Sequence, residues 1–177
     1  MTNQFRKLMM VKAEKELPED ELWNRIVTFL KGQTMCTLCT CQNNVPRATP
    51  LEYYLNETSL YMVGHKGIKL GNIKNNPKVS IGVYNHVHPR WGNGDNWLGV
   101  IGAQITGTAR LIPDDAPEFF EAYNHFSSPT LTPARTGEKP RGRIMIVISI
   151  ERVEYLDIAL KLEGYASKQV WQMRGKG

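Results

Sequence analysis

A chain of 177 residues with 41% hydrophobic and 22% charged residues can bury a real core, so it is neither disordered nor collagenous. No apolar run approaches the roughly 20 residues that span a bilayer; the best, Ile144 to Ile150, has strand length. The net charge of +5 suits an anionic partner, either nucleic acid or a phosphorylated cofactor, and the placement of the charge must decide between them. The N-terminus sets Arg6, Lys7, Lys12, Glu14, Lys15 and Glu16 around a short Leu8–Val11 patch, which is no signal peptide. Three cysteines make no disulfide framework, so the expected compartment is the cytoplasm, with no membrane association.

Residues 1–17 read as a flexible leader. Pro18-Glu19-Asp20-Glu21 opens a helix, because proline costs little in the first turn and acids there favour the helix dipole. Leu22, Trp23, Ile26, Phe29 and Leu30 give that helix one apolar face, and Gly32 ends it. A β pattern follows. Thr34–Cys41 and Arg47–Leu55 are joined by a turn at 42–46, and Arg47, Thr49, Leu51, Tyr53 and Leu55 share a face. Asn56-Glu57-Thr58 turns the chain into Ser59–Val63. A short helix over Ile68–Lys74 is stopped by Asn75-Asn76-Pro77. Strands are expected at Lys78–Tyr84 and Leu98–Ile112, with a loop between them over 85–97.

Pro113-Asp114-Asp115 opens a further helix with Ala116, Phe119, Phe120, Tyr123 and Phe126 on one stripe. Residues 127–141 form a Ser/Thr/Pro/Gly loop, and Ile144–Ile150 is apolar on both faces, hence central. Glu151–Asp157 is a further strand or turn, and 161–177 a basic tail. About six strands with two or three flanking helices predict a mainly β fold, a small antiparallel barrel over residues 18–160.

The most informative stretch is Gly64-His65-Lys66-Gly67-Ile68-Lys69-Leu70-Gly71-Asn72, between a strand and a helix. Glycines let backbone approach a ligand, and free amides at a helix start bind anions. Residues 66–78 hold four lysines and no acid. The stretch reads either as a phosphate site or as a solvated basic turn; it is neither a Walker A loop nor a Rossmann fingerprint. Cys36-x-x-Cys39-x-Cys41 lies within a strand that points Cys36 away from the other two, so buried structural thiols are expected and no metal centre. His86-Val87-His88 opens a haem or metal alternative, and Trp91 and Trp97 flank that loop.

The order of Pro46-Arg47-Ala48-Thr49-Pro50, Ser59–Val63, Lys69-Leu70-Gly71-Asn72-Ile73, Asn76-Pro77-Lys78-Val79, Ile105–Ala109 and the Ile144–Ile150 strand resembles the pyridoxamine 5'-phosphate oxidase family of FMN-binding split barrels. The resemblance covers about residues 20–157. It implies a six-stranded Greek-key split barrel, a homodimer, and FMN in a groove between subunits. It also implies that the cofactor contacts come from Arg47, Ala48, Thr49, Pro50, Tyr61, Met62, Lys66, Lys69 and Asn72, with Lys69 at the phosphate.

The chain departs from that pattern in two places. Where those oxidases have a Gln, five residues before Gly107, stands Gly102, with Gln104 two residues on; and the tail Val170-Trp171-Gln172-Met173-Arg174 lacks their substrate-completing segment. The expectation is a flavin-dependent oxidoreductase of unknown substrate that is not a housekeeping pyridoxamine phosphate oxidase. The second basic region, Arg135–Arg143, includes Glu138 and is no obvious second phosphate anchor. A flavin or haem carrier without turnover is the alternative. A nucleic-acid-binding barrel is disfavoured, because no strand interleaves aromatic with basic residues.

Overall fold

The computed structural model describes residues 10, 12–85, 96–125 and 142–174. The fold is mainly antiparallel β with a few helices. In chain order it comprises α1 (Glu19–Lys31), β1 (Met35–Gln42), β2 (Val45–Glu52), β3 (Tyr54–Asn56), β4 (Ser59–Gly64), α2 (Ile68–Asn75), β5 (Lys78–Tyr84), β6 (Ile101–Pro113), α3 (Phe119–His125), β7 (Ile144–Asp157) and β8 (Lys168–Gln172). The strands pair in the order β2-β1-β5-β6-β7-β4-β3, with β8 also on β7. Among the described residues, no helix is long and apolar enough to cross a membrane.

The chain divides into two compact units, one of residues 34–82 and 105–151, the other of residues 1–33, 83–104 and 152–177. In the first, Asn43 and Asn44 take positive φ (50° and 59°) between Gln42 and Val45. This is the left-handed backbone that a two-residue hairpin needs and that asparagine tolerates. The β1–β2 register follows: Thr40 lies opposite Arg47, Leu38 opposite Thr49 and Cys36 opposite Leu51. Leu60 and Met62 of β4 lie opposite Ile148 and Ile146 of β7, and all four are fully or almost fully buried. On its other face β7 buries Met145 and Val147 in a cluster with Ile112, Phe119, Ala122 and Tyr123. Both faces of this strand are therefore covered over Met145–Ile148, as its apolar run predicts. Gly107 of β6 explains itself by contact: a Cβ there would collide with the carbonyl oxygen of Ser149 and the side chain of Ile148.

Four expectations are corrected. The strand expected over Arg47–Leu55 is two: β2 pairs with β1 and β3 with β4, the switch falling at Tyr53, whose N–H donates to Thr34 O at 3.0 Å. Its ring is buried there, so the switch keeps an apolar anchor inside. The segments 144–150 and 151–157 form one 14-residue strand. α3 begins at Phe119, later than the Pro-Asp-Asp signal, which makes a turn instead. The tail supplies β8, so the described residues hold eight strands where about six were expected.

In the second unit, α1 buries Leu22, Ile26, Phe29 and Leu30. Trp23 stacks on Trp171 of β8 with ring centroids 4.1 Å apart. Lys15 bridges in parallel to Tyr165. Gln169, buried, joins the same two segments through its amide: Oε1 accepts from Leu17 N–H at 2.9 Å and Nε2 donates to Ala166 O at 2.9 Å. Residues read from sequence as leader and tail thus hold each other by backbone-like bonds.

Candidate cofactor site

α2 starts at Gly67 with no side-chain cap and no acid in its first turn. An uncapped helix start presents amide N–H groups and the positive end of the helix dipole. Lys69 brings further charge to this start: a Cβ built on Gly67 would lie 4.0 Å from its ammonium. Lys66 is exposed and Lys69 half-buried. Among the described residues, no carboxylate pairs with Lys66, Lys69 or Arg47. Nearby, Arg143 Nη1 lies 3.0 Å from His65 Nδ1. A guanidinium has only donors, so His65 Nδ1 accepts and Nε2 carries the ring proton.

The anchor that fixes α2 is Asn72. It is buried, and its Nδ2 donates to Thr40 Oγ1 on β1 at 3.0 Å. Lys69 stands three residues before it on the same side of the helix. Across the ladder, Thr40 faces Arg47 of β2. The buried Asn72–Thr40 bond therefore ties α2, which carries Lys69, to the face of the β1–β2 ladder on which Arg47 stands. Leu70 anchors the same helix beside Gly64: a Cβ on that glycine would sit 3.3 Å from Leu70 Cδ2 and 3.2 Å from Ile146 Cδ1. Thr49 shares the face of Arg47 by the two-residue period, and its buried Oγ1 has no hydrogen-bond partner. That orphaned oxygen, the uncapped helix start and three unpaired cations suit an anionic ligand with polar edges, which is what a phosphorylated flavin is.

Not every residue singled out from sequence meets this surface. Ala48 and Pro50 stand opposite Cys39 and Thr37, on the other face of β2 from Arg47 and Thr49. Met62 is fully buried in the β4–β7 core, so its side chain packs within the chain. Tyr61 points to the other side of β4, against the α3 cluster. Asn72 acts from beneath, holding α2 to β1. Gln104 is exposed on β6. His86, His88, Trp91 and residues 135–141 lie outside the described residues. Sequence reading passed over Thr40; nothing in its local pattern marks it, because its importance comes from Asn72, 32 residues away.

The model of the pyridoxamine 5'-phosphate oxidase family matches residues 22–157. The chain belongs to this family. No curated protein sequence matches it. Among solved structures of similar fold is general stress protein 26 from Bacillus anthracis, 18% identical with a TM-score of 0.61, covering 86% of this chain and 99% of that one. A FAD-binding protein from Mesorhizobium loti is 22% identical with a TM-score of 0.57, covering 74% of this chain and 89% of its own. The haem storage protein HutZ from Vibrio cholerae is 12% identical with a TM-score of 0.56, covering 72% and 89%. This pyridoxamine 5'-phosphate oxidase family member thus shares its fold with proteins whose ligands differ, and its own residues must decide the ligand.

Proposed function

We propose that this member of the family is a flavin-dependent oxidoreductase that holds FMN noncovalently, as a cytoplasmic homodimer with the cofactor groove completed between subunits. The observation that carries this reading is the pair Lys66 and Lys69 at an acid-free, uncapped helix start, with no carboxylate partner among the described residues. A terminal phosphate, dianionic near neutral pH, fits such a surface. Arg47, on β2 opposite Thr40, is a further cation without a carboxylate partner among the described residues, and the unpartnered Thr49 Oγ1 on the same face of β2 supports a ligand with polar edges. Flavin supplies electron transfer when bound; the protein's part is to anchor the phosphate, align the ring and limit access to it. The substrate is a small molecule other than pyridoxamine phosphate, because the described cationic surface offers one phosphate anchor.

The test is titration of the purified protein with FMN, followed by flavin fluorescence and by light scattering. The expected result is saturable quenching at one FMN per chain in a particle of two chains. The absence of quenching would overturn the flavin reading. Haem titration in parallel addresses the second reading, which the fold shared with a haem storage protein favours. A Soret shift with no flavin response would make the chain a haem carrier.

A further inference from the structure

The three thiols of β1 divide between its faces. Cys36 is buried beside Leu38 and Thr40, and burial, with Cys39 next, pushes its thiol up to about 12. Cys39 and Cys41 alternate onto the opposite face, where both are half-buried. The surface around them is low. Cys39 has exposed Ala48 opposite it on β2 and exposed Ser80 on β5, and Cys41 has exposed Pro46. The strand partners of the two half-buried cysteines on this face, Ala48, Ser80 and Pro46, are thus all exposed and carry no long side chain.

Residues two apart on a strand stand about 6.7 Å apart. A disulfide needs its Cβ atoms about 3.8 Å apart, so these two thiols cannot close one without breaking the strand. That strand is held: Thr37, Leu38 and Cys39 pair with β5, all eight β1 residues pair with β2, and Cys41 O accepts from Asn76 Nδ2 at 3.1 Å. Rotation about χ1 turns the sulfurs toward each other, and a single metal ion with bonds of about 2.3 Å would bridge a sulfur separation of about 4.6 Å. Among the described residues, no group of three or more His, Cys, Asp or Glu could complete a higher-coordinate centre. Zinc, which takes four ligands in structural sites, is therefore ill served, whereas soft thiolates select copper(I).

We propose that Cys39 and Cys41 form a two-coordinate copper(I) site on the exposed face of β1. Binding exchanges two S–H protons for one ion: Cu⁺ and two thiols give a bis-thiolate of charge −1 and two protons, with no change of oxidation state. The site lies on the opposite face of the β1–β2 hairpin from Thr40 and Arg47, so it does not depend on the flavin reading.

The test is anaerobic titration of the full chain with copper(I) against a chromophoric copper(I) chelator, with proton release followed in weak buffer. The expected result is one tightly held ion per chain and release of up to two protons. Stoichiometric binding should be lost in Cys39→Ser and in Cys41→Ser and kept in Cys36→Ala, with circular dichroism confirming that each variant folds. Binding that survives both serine variants, or that needs Cys36, would overturn the site. Oxidation of the native protein with diamide supplies a measurement that needs no variant: an intrachain Cys39–Cys41 disulfide found by mass spectrometry would refute the rigid spacing on which the proposal rests.

Discussion

Two cationic regions of the molecule use the same residue types to opposite ends. On α1, Arg25 is claimed on every side: Glu163 accepts from Nη1 at 3.1 Å and from Nη2 at 2.7 Å, and Glu21 from Nη2 at 3.0 Å. These carboxylates, Glu163 foremost, hold the guanidinium well above its ordinary range. Arg174 is paired with Glu19 in the same unit. At the start of α2 and on β2, Lys66, Lys69 and Arg47 meet no acid among the described residues. A cation answered from within the chain contributes modestly to stability and is spent. A cation kept without a counter-charge gains nothing for the fold and is available to a ligand. The difference between the regions therefore separates structural charge from functional charge, and substitutions can test it.

The largest effect is expected at Lys69. Replacing it by Ala should weaken FMN binding by roughly 1.5–3 kcal/mol, the worth of a charge-assisted hydrogen bond. Lys69→Glu should weaken it further by adding repulsion. The urea midpoint should barely move in either, since no partner within the chain is lost. Arg25→Met makes the complementary control: stability should fall and the FMN dissociation constant should stay put. Calorimetric titration of the two variants side by side decides the matter, and equal losses of affinity would erase the distinction between the regions.

Asn72 comes next, because it is the joint on which the cationic surface rests. Asn72→Ala leaves Thr40 Oγ1 buried without its donor, and a buried polar group so orphaned costs about 1–3 kcal/mol. Denaturant unfolding should register that loss, and FMN binding should weaken secondarily as α2 loosens. Asn72→Ala with native stability but weak FMN binding would instead mark Asn72 as a direct ligand.

What the sequence disclosed follows from how local each signal is. The helix of α1, the β4 and β5 strands and the start of α2 announce themselves through caps, glycines and period, all within about ten residues. Lys66 and Lys69 are visible for the same reason. The split of the second strand at Tyr53 is not visible, because the residues on both sides alternate correctly and only the change of pairing partner, from β1 to β4, breaks the strand. β8 was hidden by its short, polar sequence; it exists because Trp171 meets Trp23 and Gln169 meets Leu17, contacts across some 150 residues. The same non-locality conceals the role of Thr40. Met62 shows what position alone leaves out: its place along the chain matches the family pattern, while its face of β4, the buried one, follows from pairing with β7.

A smaller effect, and one of opposite sign, is expected at Asp157 in the Arg25 unit. Its Oδ1 accepts from Ala159 N–H at 3.0 Å and its Oδ2 from Tyr155 Oη at 3.3 Å, yet burial dominates and raises its carboxyl above the ordinary aspartate range. A carboxyl raised by folding contributes stability in its protonated form, and this is lost as pH rises from about 4 through the folded-state value. Asp157→Asn keeps an acceptor for Ala159, and Tyr155 can turn its hydroxyl to accept. The variant should therefore match or slightly exceed the wild type in stability at pH 7, and the advantage should close below about pH 4. Thermal unfolding across pH checks this. A variant less stable at pH 7 than at pH 4, relative to wild type, would show that the charged carboxylate is wanted there.

The smallest effect belongs to Lys78, the lysine of the acid-free stretch that does have a partner. Its Nζ lies 2.8 Å and 3.0 Å from the two oxygens of Glu151, to which Thr108 also donates. Lys78 first, and Thr108 after it, hold the Glu151 carboxyl below the usual glutamate range. Both members of the pair are substantially exposed, so the pair contributes at most about 1 kcal/mol. Because the folded-state value is lowered, that contribution is present above the ordinary glutamate range and lost as pH falls through the lowered value. Lys78→Met should thus be slightly less stable than wild type at pH 7, with the gap narrowing in acid and in high salt, as unfolding curves at several pH values and ionic strengths would record. FMN binding is the sharper readout. Lys78 and Lys69 carry the same charge and sit nine residues apart in one basic stretch, differing in whether a carboxylate answers them. If Lys78→Met weakens FMN binding as much as Lys69→Ala does, the ligand responds to the net field of the stretch alone; if it leaves the dissociation constant unchanged, pairing within the chain is what decides which cations are left for the cofactor.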